Sequence, residues 1–134
     1  MTTSREHQTL VGIVQAWCES QDQEENHIIL IDDMTHPGSP VPPAIGRYRP
    51  DLVWLRIDGT YRFIGEAKTD PDINNSHTRK QVSCYLEYLE LQGSGTLVFA
   101  VPWRSKSVAI SIIAEVQRSH GYQYRRWVVI SDGY

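Results

Sequence analysis

Two apolar segments joined by Asp58-Gly59 constrain the fold of this chain more than any other feature of its sequence. The first segment reads RPDLVWL (residues 49–55) and the second reads FIGEAKT (residues 63–69). Asp-Gly between apolar runs is typical of a two-residue type I′ turn, so the sequence predicts a β-hairpin here.

The predicted turn also sets which residues of the hairpin face each other. With Asp58 and Gly59 in the turn, the opposed pairs are Ile57 with Thr60, Leu55 with Arg62, Val53 with Ile64, and Asp51 with Glu66. Directly opposed residues have Cβ atoms about 4.5–5.5 Å apart on one face of the sheet. Lys68 lies two residues beyond Glu66 and shares that face, because side chains alternate along a strand.

Two opposed carboxylates repel each other, and a divalent cation between them would reverse the sign of this interaction. Mg²⁺ prefers oxygen ligands and is typically held by one or two carboxylates together with water and phosphate oxygens. Asp51 and Glu66 therefore indicate a Mg²⁺ or Mn²⁺ site, and with it phosphodiester chemistry.

Solvated surface charge is the alternative interpretation of each of these residues taken singly. Val53 shares the predicted face of Asp51, while Leu52 and Trp54 occupy the opposite face. Both faces are therefore expected to be buried, and buried carboxylates need a partner or a metal. A slip of one residue in the register would move Asp51 to the other face.

The length of 134 residues predicts a single domain spanning residues 1–134. Apolar residues make up 40% of the chain and charged residues 22%, which is ordinary for a soluble protein. We find neither a membrane-length apolar stretch nor a signal peptide, so a cytoplasmic protein without a membrane partner is expected. Cys18 and Cys84 lie in apolar-periodic segments and are expected to be reduced core thiols rather than a disulfide or a metal pair.

A net charge of −3 counts against nucleic-acid binding, which depends on cations that contact phosphates. The distribution of charge matters more than its sum, and Arg47, Arg49, Arg62 and Lys68 lie on the hairpin or its approach. Weak intrinsic affinity, or dependence on a partner protein, is expected from this balance.

Hydrophobic periodicity predicts the element order αβββαβαβ. The predicted elements are a helix at 4–20, a buried strand at 27–31, the hairpin 51–68, a helix at 77–91, a strand at 96–101, a helix at 106–119 and a strand at 126–130. Gly93 is the predicted stop of the second helix, and the third helix is expected to turn Val108, Ile112, Ile113 and Val116 inward. Residues 34–50 contain five of the seven prolines and form a predicted irregular loop, which is either functional or a simple connector. A helix between the hairpin and the strand at 96–101 implies parallel pairing, hence a mixed sheet.

Pro50-Asp51, followed by fourteen residues and then Glu66-Ala67-Lys68, resembles the signature of the PD-(D/E)XK nuclease superfamily. The element order is similar to that of the same group, which includes Holliday-junction resolvases and RecB-like exonucleases. The resemblance covers roughly residues 3–130. It implies an α/β fold with a restriction-endonuclease-like αβββαβ core, a mixed central sheet flanked by helices, and an added C-terminal helix and strand.

The resemblance also implies roles for individual residues. Asp51 and Glu66 would bind the metal together with the backbone carbonyl of Ala67, and Lys68 would position or activate the attacking water. Glu6, on the first helix, is a tentative fourth ligand, with favourable helix N-terminal electrostatics as the alternative explanation. His7 is the poorer candidate, expected to be a partly exposed helical histidine.

Tyr85 lies four positions after Gln81, so the two residues share one face of the second long helix. Their spacing is similar to the Gln-x-x-x-Tyr element of RecB-like relatives, which implies substrate contact, although Tyr85 also suits a core position. Arg49 and Arg79 are tentative substrate contacts, and a solvated helix end is the alternative for Arg79.

These observations predict a Mg²⁺- or Mn²⁺-dependent deoxyribonuclease that is structure-selective or targeted by a partner protein. DNA is the expected substrate, with RNA as the weaker prediction, and a homodimer is a further expectation. The alternative function is a non-catalytic protein-interaction subunit that keeps the nuclease fold.

Overall fold

The computed structural model describes residues 4–22, 26–32 and 40–133. It has an α/β fold in which three helices pack against a five-stranded mixed sheet. The elements are α1 (Arg5–Gln21), β1 (His27–Ile31), β2 (Leu52–Arg56), β3 (Tyr61–Ala67), α2 (Ser76–Gln92), β4 (Thr96–Val101), α3 (Lys106–His120) and β5 (Trp127–Ser131). The predicted element order is confirmed. Within the described ranges, none of the helices has the length and apolar character needed to cross a bilayer.

The sheet keeps its strands in chain order, β1-β2-β3-β4-β5. The first three strands pair antiparallel, and β3–β4 and β4–β5 pair parallel. Each parallel pair is connected by a helix, α2 for the first and α3 for the second, as a crossover requires. The predicted parallel pairing and mixed sheet are therefore confirmed.

The hairpin between β2 and β3 closes through a three-residue loop, 57–59, so the predicted two-residue type I′ turn is wrong. Arg56 N–H donates to Thr60 O over 2.8 Å, and Gly59 has φ 87°. A type I′ turn needs positive φ at both central residues, but among the described residues only glycines have positive φ. Asp58 therefore follows the geometry of a type I turn that precedes a left-handed glycine.

The extra loop residue shifts the register by one near the turn, and a bulge restores it further along. Leu55 faces Tyr61 instead of the predicted Arg62, which remains as the extra residue of the bulge. Beyond the bulge, the pairs are Trp54 with Phe63, Val53 with Ile64, and Leu52 with Gly65. Regular pairing ends there, one residue short of the predicted Asp51–Glu66 pair.

The sheet is covered on both faces by separate apolar clusters. On one face α1 packs over Leu52, Trp54 and Phe63. On the other, α2 and α3 pack over Val53 and Ile64. The predicted division of β2 side chains between the two faces is confirmed, and both faces of the central strands are buried.

Two expectations about burial are wrong. β1 was expected to be a buried strand, but it ends the sheet, and its residue Ile28 is 56% exposed. Val108, expected on the inner face of α3, is 44% exposed, whereas Ile112 and Ile113 are buried as predicted. Apolar composition alone does not distinguish an edge strand from a central one.

The helix boundaries follow local capping chemistry. Ser4 caps α1 by accepting a hydrogen bond from His7 N–H over 3.0 Å, and Asn75 caps α2 in the same way. Gly93 ends α2 with φ 81°, as its position after the apolar stripe predicted. Cys18 is a buried free thiol and Cys84 a half-buried one.

Of the predicted Pro-rich loop 34–50, the part 34–39 lies outside the described residues. The remainder, 40–50, is mostly irregular and is bridged once, between Ile45 and Tyr48. This segment leads directly into Asp51 and packs beside α2.

Candidate functional site

A cleft of about 500 Å³ opens at the end of the sheet where β1 and β3 end and β2 begins. The hairpin supplies its floor through Asp51, Glu66 and Lys68. The start of α1, the 40–50 segment and the start of α2 supply its walls. The structure thus brings the three residues of the predicted catalytic set into one cavity.

Asp51 is held by the backbone on three sides. Its N–H donates to Gly65 O over 3.0 Å, and its carbonyl accepts from Asp32 N–H over 2.9 Å. Its side-chain Oδ2 accepts from Ala67 N–H over 2.8 Å. The carboxylate is therefore tied to β3 although Asp51 lies outside the regular ladder.

Glu66 is a buried carboxylate with 4% of its surface exposed. Its Oε1 accepts a hydrogen bond from Tyr85 Oη over 3.2 Å, and Lys68 Nζ lies 3.7 Å from its Oε2. Burial raises the pKa of Glu66 well above its usual value, the charge of Asp51 raises it further, and the Lys68 ammonium lowers it. Burial and a neighbouring carboxylate both disfavour the ionised form of Glu66, and a bound cation would stabilise that form.

Lys68 is fixed at the junction of β3 and β4. Its backbone N–H donates to Ala100 O over 3.0 Å, and its side chain is 14% exposed. The ammonium group therefore stays beside Glu66 at the floor of the cleft, where it can donate to an anionic ligand.

His7, expected to be a poorer ligand candidate than Glu6, lines the cleft beside Asp51. Its Nε2 lies 3.2 Å from Asp51 Oδ2, and this hydrogen bond raises the pKa of His7 against the lowering effect of burial. Its Nδ1 is buried and has no hydrogen-bond partner among the residues that the structure describes. The signal was present, because His7 precedes the buried residues Leu10, Val11 and Val14 by three, four and seven positions.

Glu6, predicted as a tentative metal ligand, is exposed and does not line the cleft. It lines a separate surface hollow with Thr69 and Arg104. The two neighbouring side chains of α1 therefore line different depressions, His7 beside the carboxylates and Glu6 away from them.

Gln81 and Tyr85 are both buried on the inner face of α2, next to the carboxylates. Gln81 Nε2 donates to Tyr85 Oη over 3.2 Å, and that hydroxyl donates to Glu66. Burial raises the pKa of the Tyr85 hydroxyl, so it remains a proton donor to Glu66. Gln81 lines the cleft, and its Oε1 is buried without a partner in the described ranges.

The two arginines predicted as substrate contacts lie in different places. Arg49 is exposed and lines the cleft. Arg79 donates to Asn74 Oδ1 over 2.9 Å and lines a hollow between α2 and α3 with Lys80 and His120. Of the two, only Arg49 borders the carboxylates.

The donor set of the cleft suits a hard cation. In the part of the chain that the structure describes, no three His, Cys, Asp or Glu side chains form a metal-holding group. Mg²⁺ needs only one or two carboxylates, since it keeps several waters and takes phosphate oxygens as further ligands. The cleft supplies two carboxylates, those of Asp51 and Glu66, and so meets that requirement.

Comparisons with known proteins add no assignment to this site, because no family model, curated protein or solved structure matches the chain. The chemistry of the cleft is therefore inferred from its own residues.

Proposed function

We propose that the protein is a Mg²⁺- or Mn²⁺-dependent nuclease that hydrolyses DNA phosphodiester bonds. The observation that carries this proposal is the meeting of Asp51, Glu66 and Lys68 in one cleft, with Lys68 Nζ 3.7 Å from Glu66 Oε2. In-line hydrolysis needs a polarised phosphoryl oxygen, an activated water and neutralised charge. Two carboxylates and an adjacent ammonium group are a residue set that can meet these needs.

Each residue has a distinct part in this proposal. Asp51 and Glu66 would hold the cation, which when bound polarises the phosphoryl oxygen and lowers the pKa of water. Lys68 donates a hydrogen bond to the attacking water or to a phosphate oxygen and stabilises negative charge there. The hydrogen bonds from Gln81 to Tyr85 and from Tyr85 to Glu66 orient the Glu66 carboxyl group.

Further support comes from the order of the elements. The succession of α1, β1 to β3, α2 and β4, with β3 and β4 parallel, is similar to the αβββαβ core of restriction-endonuclease-like proteins. Membership of the PD-(D/E)XK superfamily and selection of DNA by its structure or through a partner protein are parts of the same proposal.

A cleavage panel tests the proposal. Linear duplex, supercoiled, single-stranded and four-way-junction DNA, and RNA, are incubated with Mg²⁺, with Mn²⁺ or with a chelator. We expect metal-dependent cutting of at least one DNA substrate, and loss of about 10²-fold or more in rate for Lys68→Ala, the scale of removing one transition-state donor.

The matched control is Lys106→Ala, which removes the same charge from an exposed position outside the cleft. It should cut at the wild-type rate, and circular dichroism should show that both variants fold. Metal-dependent cutting by Lys68→Ala at the wild-type rate would contradict the role given to this residue.

A non-catalytic interaction subunit is the second candidate. Two observations favour it, the net charge of −3 and the lack, among the described residues, of a three-ligand metal group. Titration calorimetry with Mg²⁺ and Mn²⁺ distinguishes the two functions. Heat of binding that disappears in Asp51→Ala supports the nuclease, and absence of binding by the wild type supports the subunit.

A further inference from the structure

A tight turn in the 40–50 segment places an arginine at the mouth of the cleft. Ile45 N–H donates to Tyr48 O over 2.7 Å, and Tyr48 N–H donates to Ile45 O over 3.1 Å. Gly46 has φ 62°, and Arg47 does not have a positive φ. This combination defines a type II′ turn with Gly46 and Arg47 at its tip. We call residues 45–48 the arginine turn.

The arginine turn is anchored to α2. Ile45 is 4% exposed, and its carbonyl oxygen accepts a hydrogen bond from Cys84 Sγ over 3.3 Å. A Cβ atom on Gly46 would lie 2.8 Å from the same sulfur, so the turn backbone lies directly against the Cys84 side chain. The position of the turn is therefore set by packing and not by the loop alone.

Aromatic contacts join this anchor to the floor of the cleft. The Tyr48 ring packs edge-on against His77, with centroids 5.5 Å apart, and against Tyr85, with centroids 6.5 Å apart. Tyr85 is the residue that donates to Glu66. The arginine turn and the carboxylate pair therefore share one structural support.

Arg47 itself is exposed, lines the cleft and forms no ion pair with any residue in the described ranges. A guanidinium group pairs with phosphate through two parallel hydrogen bonds. Because the backbone that carries Arg47 is already held, little chain entropy is lost when a ligand binds. Among the described residues, Arg47 is thus a cation of the cleft without an ion-pair partner, carried on a backbone that is already fixed.

We propose that Arg47 binds one phosphate of the substrate strand, next to the phosphate that is cut. This inference rests on the proposed nuclease function, and it adds that the arginine turn binds a phosphate of the substrate. The scissile phosphate belongs to the floor of the cleft, beside Lys68 and the carboxylates. Arg47 stands on the wall formed by the 40–50 segment, so it meets a flanking phosphate of the same strand.

The first test compares DNA binding of two arginine variants, with cleavage suppressed by Lys68→Ala in both. We expect Arg47→Ala to weaken binding about tenfold or more, the scale of a hydrogen bond to a charged group. Arg118→Ala removes the same charge from an exposed site on α3 that is not part of the cleft wall, and should change affinity less than about twofold. Equal effects of the two variants would overturn the proposal.

The second test locates the phosphate. A set of oligonucleotides carries one neutral methylphosphonate linkage each, at successive positions around the cut. The loss caused by Arg47→Ala should vanish for one linkage beside the cut and persist for all others. The same loss at every linkage would show that Arg47 acts by diffuse charge alone, and would overturn the proposal.

A third variant tests the turn. Gly46→Ala is strained by the positive φ and by the sulfur of Cys84, so it should displace Arg47 and weaken binding as Arg47→Ala does. The double variant should show no added loss, because both changes remove one contact. Full additivity would overturn the role of the turn.

The outcomes also separate this inference from the function on which it rests. A wild-type protein that neither binds nor cuts any nucleic acid would remove both. Metal-dependent cutting by the wild type together with unchanged binding by Arg47→Ala would remove the inference and leave the nuclease.

Discussion

At the level of single residues, the ionised form of Glu66 opposes folding. Its pKa in the folded protein is raised above the ordinary value of 4.5, chiefly by burial. The folded state is therefore most favoured with Glu66 protonated. This contribution to stability is complete below the unfolded pKa and is lost as the pH rises through the folded pKa.

Glu66→Gln should consequently stabilise the metal-free protein at neutral and mildly alkaline pH. The advantage over the wild type should shrink as the pH falls through the raised pKa of folded Glu66 and should vanish below the ordinary carboxyl value, because the wild-type side chain is then neutral in both the folded and the unfolded state. Urea denaturation in the presence of a chelator, repeated across this pH range, measures the difference.

Added Mg²⁺ provides the control for this prediction. It should raise the stability of the wild type and leave Glu66→Gln less affected, since the variant lacks one of the two proposed ligands. A variant that is less stable than the wild type at every pH would contradict the assigned cause.

The residues of the site were predictable to different degrees. Asp51, Glu66 and Lys68 could be grouped because strand alternation places them at one end of one hairpin. His7 could have been ranked above Glu6 from the apolar residues three, four and seven positions after it, but its contact with Asp51 could not be predicted without knowing how α1 is rotated on the sheet. The hydrogen bond from Ala67 N–H to Asp51 could not be predicted, because almost every residue type has the same backbone donor.

At the level of elements, the packing of α1 on β3 depends on Gly65. A Cβ atom there would lie 2.6 Å from Val14 Cγ1 and 3.2 Å from Leu52 Cβ. Val14 is β-branched and stiff, and Leu52 Cβ is fixed by its backbone, so neither atom moves aside easily. The approach of helix to strand therefore requires the absence of a side chain at this position.

Gly65→Ala should destabilise the protein by about 1–3 kcal/mol, the usual cost of overpacking a core. Gly12→Ala is the matched control, because Gly12 lies on the exposed face of α1 with no atom within 4 Å of the new methyl group. That change should be neutral or stabilising by up to about 1 kcal/mol through helix propensity. Urea denaturation distinguishes the two, and equal stability of the Gly65 variant and the wild type would refute the packing constraint.

The hairpin illustrates why element order was predictable and detailed register was not. The Asp-Gly signal correctly located the turn but not its length, because Asp58 does not adopt the left-handed conformation that a two-residue turn requires. The bulge at Arg62 then offset the error before the end of β3. The expected proximity of Asp51 and Glu66 survived because two local deviations cancel.

At the level of the whole molecule, β1 forms one edge of the sheet within the described residues. In the described part of the chain β1 pairs with β2 on one side only, and β1 reads HIILI, without an Asp, Glu, Lys or Arg residue. Apolar edge strands can be templates for association with another chain. The homodimer expected from the sequence remains a prediction, and this edge is one surface that could form it.

Ile28→Lys should reduce self-association at high protein concentration, because a charge on an edge strand opposes pairing. Leu91→Lys introduces the same charge at an exposed position on α2 and should leave the association unchanged. Sedimentation velocity over a concentration series measures both variants. Association that is equally sensitive to the two substitutions would place the contact away from β1.

The amide of Ala67 has a consequence for how this chain can tolerate mutation. Every residue type except proline carries that N–H group, so the hold on Asp51 persists through almost any genetic change at position 67. Apart from the exclusion of proline, what restrains this position is the volume of the side chain, because Ala67 is 1% exposed. The residue types that evolution accepts at position 67 would therefore reflect the space available in the core, and would carry no information about the backbone hydrogen bond to Asp51.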